Sequence, residues 1–393
     1  MLKSIEINNF RSCYHTKLEF GQTICALAGK NGVGKTNILE CIQWLCSSVV
    51  TPEPLGFTTA TLPGVFTEPI SVHIILDIDH ASIAYSFTRS MFTMLPGDPG
   101  GLTESLTIEE GDNRTVEVFR REGEEIRIRD RAEPVRVARW TPAIAALGSL
   151  LPGDDPLQAY LSKVASFFGR VSYYPLVERR GVTDHVPEQS YKVWEIKFRS
   201  TGTLTDSIAL RHIYMWNEDR AMLEEFRDLI GPQGLGLLER FEIISLEQEA
   251  NPAARIYQPF YVPSEQMGGA GRLCRFSELS DGTRRVIRMV THLLFDKRSL
   301  MLMEQPEDSI HPGLLRKLID LLRSYSDRSQ IVFTTHSSDV LDILRPEEVV
   351  LVTANEGETS ARSLSPAEIA EAKRFLKDEG SLSDYLELET VNE

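Results

Sequence analysis

Gly29-Lys30-Asn31-Gly32-Val33-Gly34-Lys35-Thr36 decides how the rest of the chain is read. The octapeptide fits G-x-x-x-x-G-K-[ST] in full. Its glycines let backbone N–H groups turn inward around a phosphate chain. Lys35 adds a point charge for the β- and γ-phosphates, and Thr36 adds a hydroxyl suited to Mg²⁺. Upstream, Thr23 to Leu27 is a short apolar run that predicts a buried strand, preceded by an alternating strand around Ile5 and Ile7. Downstream, Ile38, Leu39, Ile42 and Leu45 recur at helical spacing. A helix starting at the loop aims its positive end at an anion.

A second half-site lies far downstream. Leu300-Met301-Leu302-Met303-Glu304 is an apolar strand ending in an acid. Alone this pattern is weak, because many core strands end that way. Beside a phosphate loop it predicts a carboxylate that supports Mg²⁺ through its water shell. Ile331 to Thr334 is another buried strand and runs into Thr335-His336-Ser337. In a parallel sheet both strands end at the edge where α/β folds bind ligands, within reach of a terminal phosphate or an attacking water. Leu279-Ser280-Asp281-Gly282-Thr283 opens a further helix, a second anion-binding start. One nucleotide cannot easily use both. The economical arrangement is a dimer in which each Ser280 loop covers its neighbour's γ-phosphate.

The 393 residues predict two or three structural units. With 42% hydrophobic and 25% charged residues the chain is neither disordered nor fibrous nor a disulfide miniprotein. A net charge of −15 argues against coating nucleic acid through bulk charge. Cys13, Cys25, Cys41, Cys46 and Cys274 form no Cys-x-x-Cys pair, so we expect a reduced, cytosolic chain without structural zinc. No apolar run reaches the ~18 residues of a membrane helix, and Met1 to Arg11 lacks a signal-peptide core. There is neither an internal repeat nor a heptad run.

The motifs in order (Asn9-Phe10-Arg11-Ser12, the phosphate loop, Leu279-Ser280-Asp281-Gly282, Met303-Glu304-Gln305-Pro306-Glu307, His311-Pro312, Thr335-His336-Ser337) resemble an ABC-type ATPase head. The nearest group is the OLD/RecF-like AAA family ATPases, relatives of the SMC heads. The resemblance covers residues 1–50 and 270–350. It implies an α/β fold: a mixed P-loop sheet with flanking helices, an antiparallel β subdomain and a compact inserted α+β region. It also implies ATP and Mg²⁺ as cofactors. Arg11, Asn31, Gly32, Gly34, Lys35 and Thr36 would hold nucleotide, with Thr36 and Glu304 (through water) on the metal. Ser280 and Gly282 would act in trans and His336 would be the switch histidine. Gln305 stands where such families carry the glutamate that polarises water. It can bond water but cannot take its proton, so slow or trapped hydrolysis is expected. The chain is then either a natural ATP-gated scaffold or one whose glutamate was substituted; the second is favoured here. The resemblance also implies a glutamine-loop residue between the phosphate loop and Leu279-Ser280-Asp281-Gly282.

The expected division is an N-terminal half of the head at 1–96, an insert at 97–267, a C-terminal half at 268–352 and an acidic helical tail at 353–393. The boundaries rest on the turn chemistry of Pro96-Gly97-Asp98-Pro99-Gly100-Gly101 and on the resumption of strand–helix alternation from Phe276. Only about 40 residues follow the core, so no TOPRIM-type nuclease of its own is expected, by contrast with the OLD nucleases of the resembled group. Arginines between Arg114 and Arg139 read as a solvated strand face, with Arg179-Arg180 and Lys192 to Arg199 as a second modest basic cluster. Trp140, Tyr173, Tyr174, Tyr191 and Trp194 read as core. The expected partners are a second copy through an ATP sandwich, with room for a higher oligomer, and a separately encoded nuclease or toxin effector in phage defence. The alternative is a RecF-like DNA-repair ATPase. An ABC transporter subunit fits poorly, because Thr283-Arg284-Arg285 follows Gly282.

Overall fold

A computed structural model describes residues 1–50, 68–90, 100–110, 114–175, 184–201, 207–248, 251–264, 271–378 and 380–392. The chain forms two compact units. The first comprises Met1–Leu176, Arg298–Pro306 and Ser326–Glu393, and the second Val177–Lys297 and Glu307–Tyr325.

The centre of the first unit is a six-stranded sheet. Its order is Val171–Tyr174, Leu300–Glu304, Gln330–Thr335, Ile24–Ala28, Val349–Asn355, Glu358–Ser363. The first five strands run parallel and the last returns antiparallel. Every residue of Ile24–Ala28 and Gln330–Thr335 is buried, as a parallel strand covered on both faces requires. This explains why these stretches read as continuous apolar runs. Helix Lys35–Val49 buries Ile38, Leu39, Ile42, Leu45, Cys46 and Val49.

An eight-stranded antiparallel sheet completes this unit, in the order Cys13–Glu19, Leu2–Phe10, Ile70–Ile78, Ala81–Ser90, Gly101–Glu110, Arg114–Glu122, Glu125–Ile128, Val135–Arg136. Ile70, Val72, Ile74 and Leu76 alternate inward. The boundary expected at residue 97 therefore falls inside one sheet, because Ala81–Ser90 pairs directly with Gly101–Glu110. The boundary at 353 likewise bisects strand Val349–Asn355. The turn residues 96–99, Arg179-Arg180 and the boundary at 267 lie outside the described residues. Arg121 is not on a solvated face: it is fully buried and pairs with buried Glu104 at 2.7 Å. Glu104 also accepts from Tyr85 at 2.5 Å and from the Ala143 amide, while Arg121 donates to the carbonyls of Gly123, Ala138, Arg139 and Thr141. Arg120, Arg136 and Arg139 do meet exposed acids.

The second unit packs helices around a three-stranded sheet of Val186–Pro187, Asn251–Pro263 and Leu238–Gln248. Two of its helices are Ile208–Glu218 and Arg220–Ile230. Asp219 separates them and caps the second by accepting from the Met222 amide at 3.0 Å. Buried His212 bonds Tyr261 and Thr291 at 2.9 and 2.8 Å and lies among Phe226 and Phe241. Trp194 stacks on Phe198 at 5.2 Å within an aromatic cluster that includes Tyr214 and Phe295.

The last segment of the first unit holds helix Pro366–Asp378, opened by a capping box between Ser365 and Glu368. A second helix, Leu382–Asn392, follows. Among the described residues no helix is long and apolar enough to cross a membrane. All five cysteines are free thiols.

Candidate functional site

Three adjacent parallel strands deliver the site. Glu304 pairs with Thr334, and Thr335 with Ala28, so the ends of Leu300–Glu304, Gln330–Thr335 and Ile24–Ala28 lie side by side. The phosphate loop leaves Ala28, and the Gly29 amide still reaches the Thr335 carbonyl at 3.4 Å. The sheet thus brings Lys35, Glu304, Gln305 and His336 to one edge.

The loop is tightly formed. Gly32 and Gly34 have φ of +84° and +98°, where side chains are strained. Asn31 and Gly32 are exposed at its tip. Lys35 is 6% exposed, and its ammonium donates to the carbonyls of Gly29 at 2.6 Å and Lys30 at 2.7 Å. Thr36 presents its side chain on the exposed first turn of helix Lys35–Val49. Arg11 has φ +54° and its guanidinium is engaged by Asn37 at 3.1 Å and by Glu40. Asn37 also donates to the Ser12 hydroxyl at 2.7 Å.

Gln305 occupies an unusual backbone position, φ +38°, rare for a residue with a side chain. Its amide N–H is shared by the carbonyl and hydroxyl of Thr334, both at 3.2 Å. Its side-chain amide donates to Nδ1 of His336 at 2.7 Å. On the other side, Tyr173 hydrogen-bonds Glu304; burial and that carboxylate push the phenol pKa up. Tyr173 is thus half-buried but carries a polar contact that a reading as plain core does not include. Asn37, Glu40 and Tyr173 all enter the site without a sequence signal, since each is paired with a residue far away in the chain.

A hydroxyl at Thr36 and a carboxylate at Glu304 are hard oxygen donors that suit Mg²⁺, which keeps several waters and takes phosphate oxygens. Among the described residues no group of three His, Cys, Asp or Glu could hold a metal by itself.

Ser280 and Gly282 belong to the second unit. Ser280 caps helix Asp281–Phe295, bonding the Thr283 amide at 3.3 Å and its hydroxyl at 2.8 Å. A Cβ on Gly282 would sit 2.0 Å from the Ser309 carbonyl oxygen, so close chain approach accounts for this glycine.

Two family models match. One is an AAA-domain model whose description names the AbiEii toxin and a type IV TA system, over residues 210–342; the other is an AAA-domain model over residues 4–124. An SMC head bound to the C-winged helix domain of ScpA superposes with a TM-score of 0.50 at 13% identity, covering 94% of this chain and 99% of that one. The SMC head domain from Thermotoga maritima covers 93% of this chain and 99% of its own at 13% identity, with a TM-score of 0.46. A 42-residue stretch is 50% identical to the DNA double-strand break repair Rad50 ATPase of Archaeoglobus fulgidus; it is 11% of this chain and 5% of that relative's length.

Proposed function

From the premise that this chain carries an SMC-related ABC-type ATPase head, we propose that it binds ATP with Mg²⁺, closes into a dimer around the nucleotide and hydrolyses it slowly. The observation that carries this reading is the convergence of the phosphate loop, Glu304, Gln305 and His336 on one edge of the six-stranded sheet. Arg11, Asn31, Gly32, Gly34, Lys35 and Thr36 take the nucleotide. Thr36 and Glu304 take the metal, Glu304 through water. Held there, Mg²⁺ would supply positive charge to offset charge on the phosphates. Ser280 and Gly282 complete a neighbour's site. Gln305 holds the attacking water against His336 without accepting its proton.

At the next level, the dimer is the regulatory half of a two-part system that holds or licenses a separately encoded nuclease or toxin. The AAA-domain model that names a toxin of a type IV TA system supports this level. A duplex-clamping repair ATPase is the second reading, supported by the short match to the Rad50 ATPase.

The test is calorimetric titration of the full chain with ATP and Mg²⁺, together with light scattering. Tight binding and an ATP-dependent doubling of mass are expected. Lys35→Ala should weaken binding by about tenfold or more. Ser280→Arg should bind ATP but stay monomeric. Failure of the parent chain to bind ATP overturns the reading. Tight duplex-DNA binding with a steep salt dependence would shift the conclusion to repair.

A further inference from the structure

The strand Glu358–Ser363, paired antiparallel with Val349–Asn355, meets the phosphate loop at the buried residue Thr359. The Thr359 hydroxyl donates to the Val33 carbonyl at 2.9 Å and lies 2.6 Å from the Ser12 hydroxyl. Its backbone is fixed on both sides: the amide donates to Ser12 O at 2.7 Å, and the carbonyl accepts from Thr16 Oγ1 at 2.6 Å. The fit leaves no slack. A Cβ on Gly34 would fall 1.9 Å from Thr359 Oγ1 and 2.7 Å from Ser12 Oγ. Across the hairpin, a Cβ on Gly29 would fall 2.2 Å from the Val352 carbonyl oxygen. Two glycines of the loop are therefore needed for contact with strands that follow the switch histidine, apart from any phosphate.

A trans peptide holds its C=O and N–H on opposite sides. Pinning the Val33 carbonyl onto Thr359 therefore turns the Gly34 N–H the other way. We propose that Thr359 is a positioning residue of the nucleotide site: its hydroxyl locks the Val33–Gly34 peptide so that the Gly34 amide is presented to the phosphate chain. The ligand is the polyphosphate of a nucleoside triphosphate, and the inference rests on the ATP-binding reading above. A loop ordered before binding loses less conformational freedom when the nucleotide arrives.

Thr359→Val keeps shape and removes the donor, leaving the Val33 carbonyl without it. The full chain carrying it should bind ATP roughly 3- to 30-fold more weakly, the range expected for one lost bond at a partly buried carbonyl. Thr359→Ser keeps the hydroxyl and should restore most of the affinity. Ser12→Ala removes the neighbouring hydroxyl but not the Val33 bond, and should cost less than Thr359→Val. Unfolding midpoints without nucleotide are recorded alongside. If Thr359→Val does not fold, Thr359→Ala, which creates only a small gap, takes its place. A folded donor-less variant with parental affinity overturns the proposal, as does Thr359→Ser weakened as much as Thr359→Val. A parent chain that does not bind ATP overturns the underlying reading instead.

Discussion

Gln305→Glu puts the proposed chemistry to the sharpest test. The Gln305 amide N–H is held by Thr334 through main-chain geometry, so exchanging the side chain leaves both 3.2 Å contacts in place. The side chain stays within reach of His336, 2.7 Å away. Glutamine donates to Nδ1; a carboxylate can only accept, so the imidazole must move its proton to Nδ1. The carboxylate then faces the water it is meant to deprotonate. A positioned general base accelerates reactions by ~10²–10⁴-fold, equivalent to lowering the barrier by about 3–5 kcal/mol. The assay is single-turnover hydrolysis with protein in excess over radiolabelled ATP, which separates chemistry from product release. Gln305→Gly is the control: it relaxes the φ of +38° and supplies no base. A glutamate variant no faster than the parent refutes the assignment. So does a glycine variant as fast as the glutamate one, because relief of backbone strain would then be the cause.

Three further outcomes follow from the geometry. Tyr173→Phe removes the hydroxyl bonded to Glu304; the Mg²⁺ concentration for half-maximal ATP binding should rise about 3-fold, the worth of one hydrogen bond, and an unchanged Mg²⁺ titration would contradict a positioning role for Tyr173. Glu104→Ala strands Arg121 in the core, where both side chains are 0% exposed; urea unfolding should show a loss of ~3–5 kcal/mol, whereas a loss below ~1 kcal/mol would mean the pair behaves as a surface bridge. Burial lowers His212 to about 3, so it stays neutral in the folded chain while the unfolded chain takes up a proton below about 6.5. Its contribution to stability is therefore present at neutral pH and is lost as pH falls from about 6.5 toward 3, amounting to about 2 kcal/mol by pH 5. Its ring resonances should not titrate above pH 4 in the native state, and a midpoint near 6 would sink the argument.

Some of this was readable from residue order because the chemistry fixes spacing. A phosphate loop needs its glycines, lysine and hydroxyl in one run, and buried parallel strands must be apolar throughout, as Leu300 to Met303 is. Other parts left no trace. Alternation told that Arg121 points to one face of its strand but not that Glu104 waits there, seventeen residues back on the neighbouring strand. Glycine and proline around 96–101 signal a turn equally well in a hairpin and at a domain edge. Thr359 is an unremarkable threonine until the hairpin carries it to Ser12, 347 residues away. In the sequence Ser280 and Gly282 stand only as a helix start; that Gly282 lies against the Ser309 carbonyl is visible only in the fold.

The central sheet interleaves early and late chain: Ile24–Ala28 lies between Gln330–Thr335 and Val349–Asn355, and the Leu2 amide donates to the Gln330 side chain. During synthesis at ~5–20 residues per second, the first segments emerge about 15–60 s before their neighbours exist. That makes the protein a high contact-order folder with unsatisfied strand edges on the ribosome. Holdase chaperones should engage the nascent chain throughout that interval, and premature termination anywhere upstream of residue 330 should yield aggregates rather than a working half.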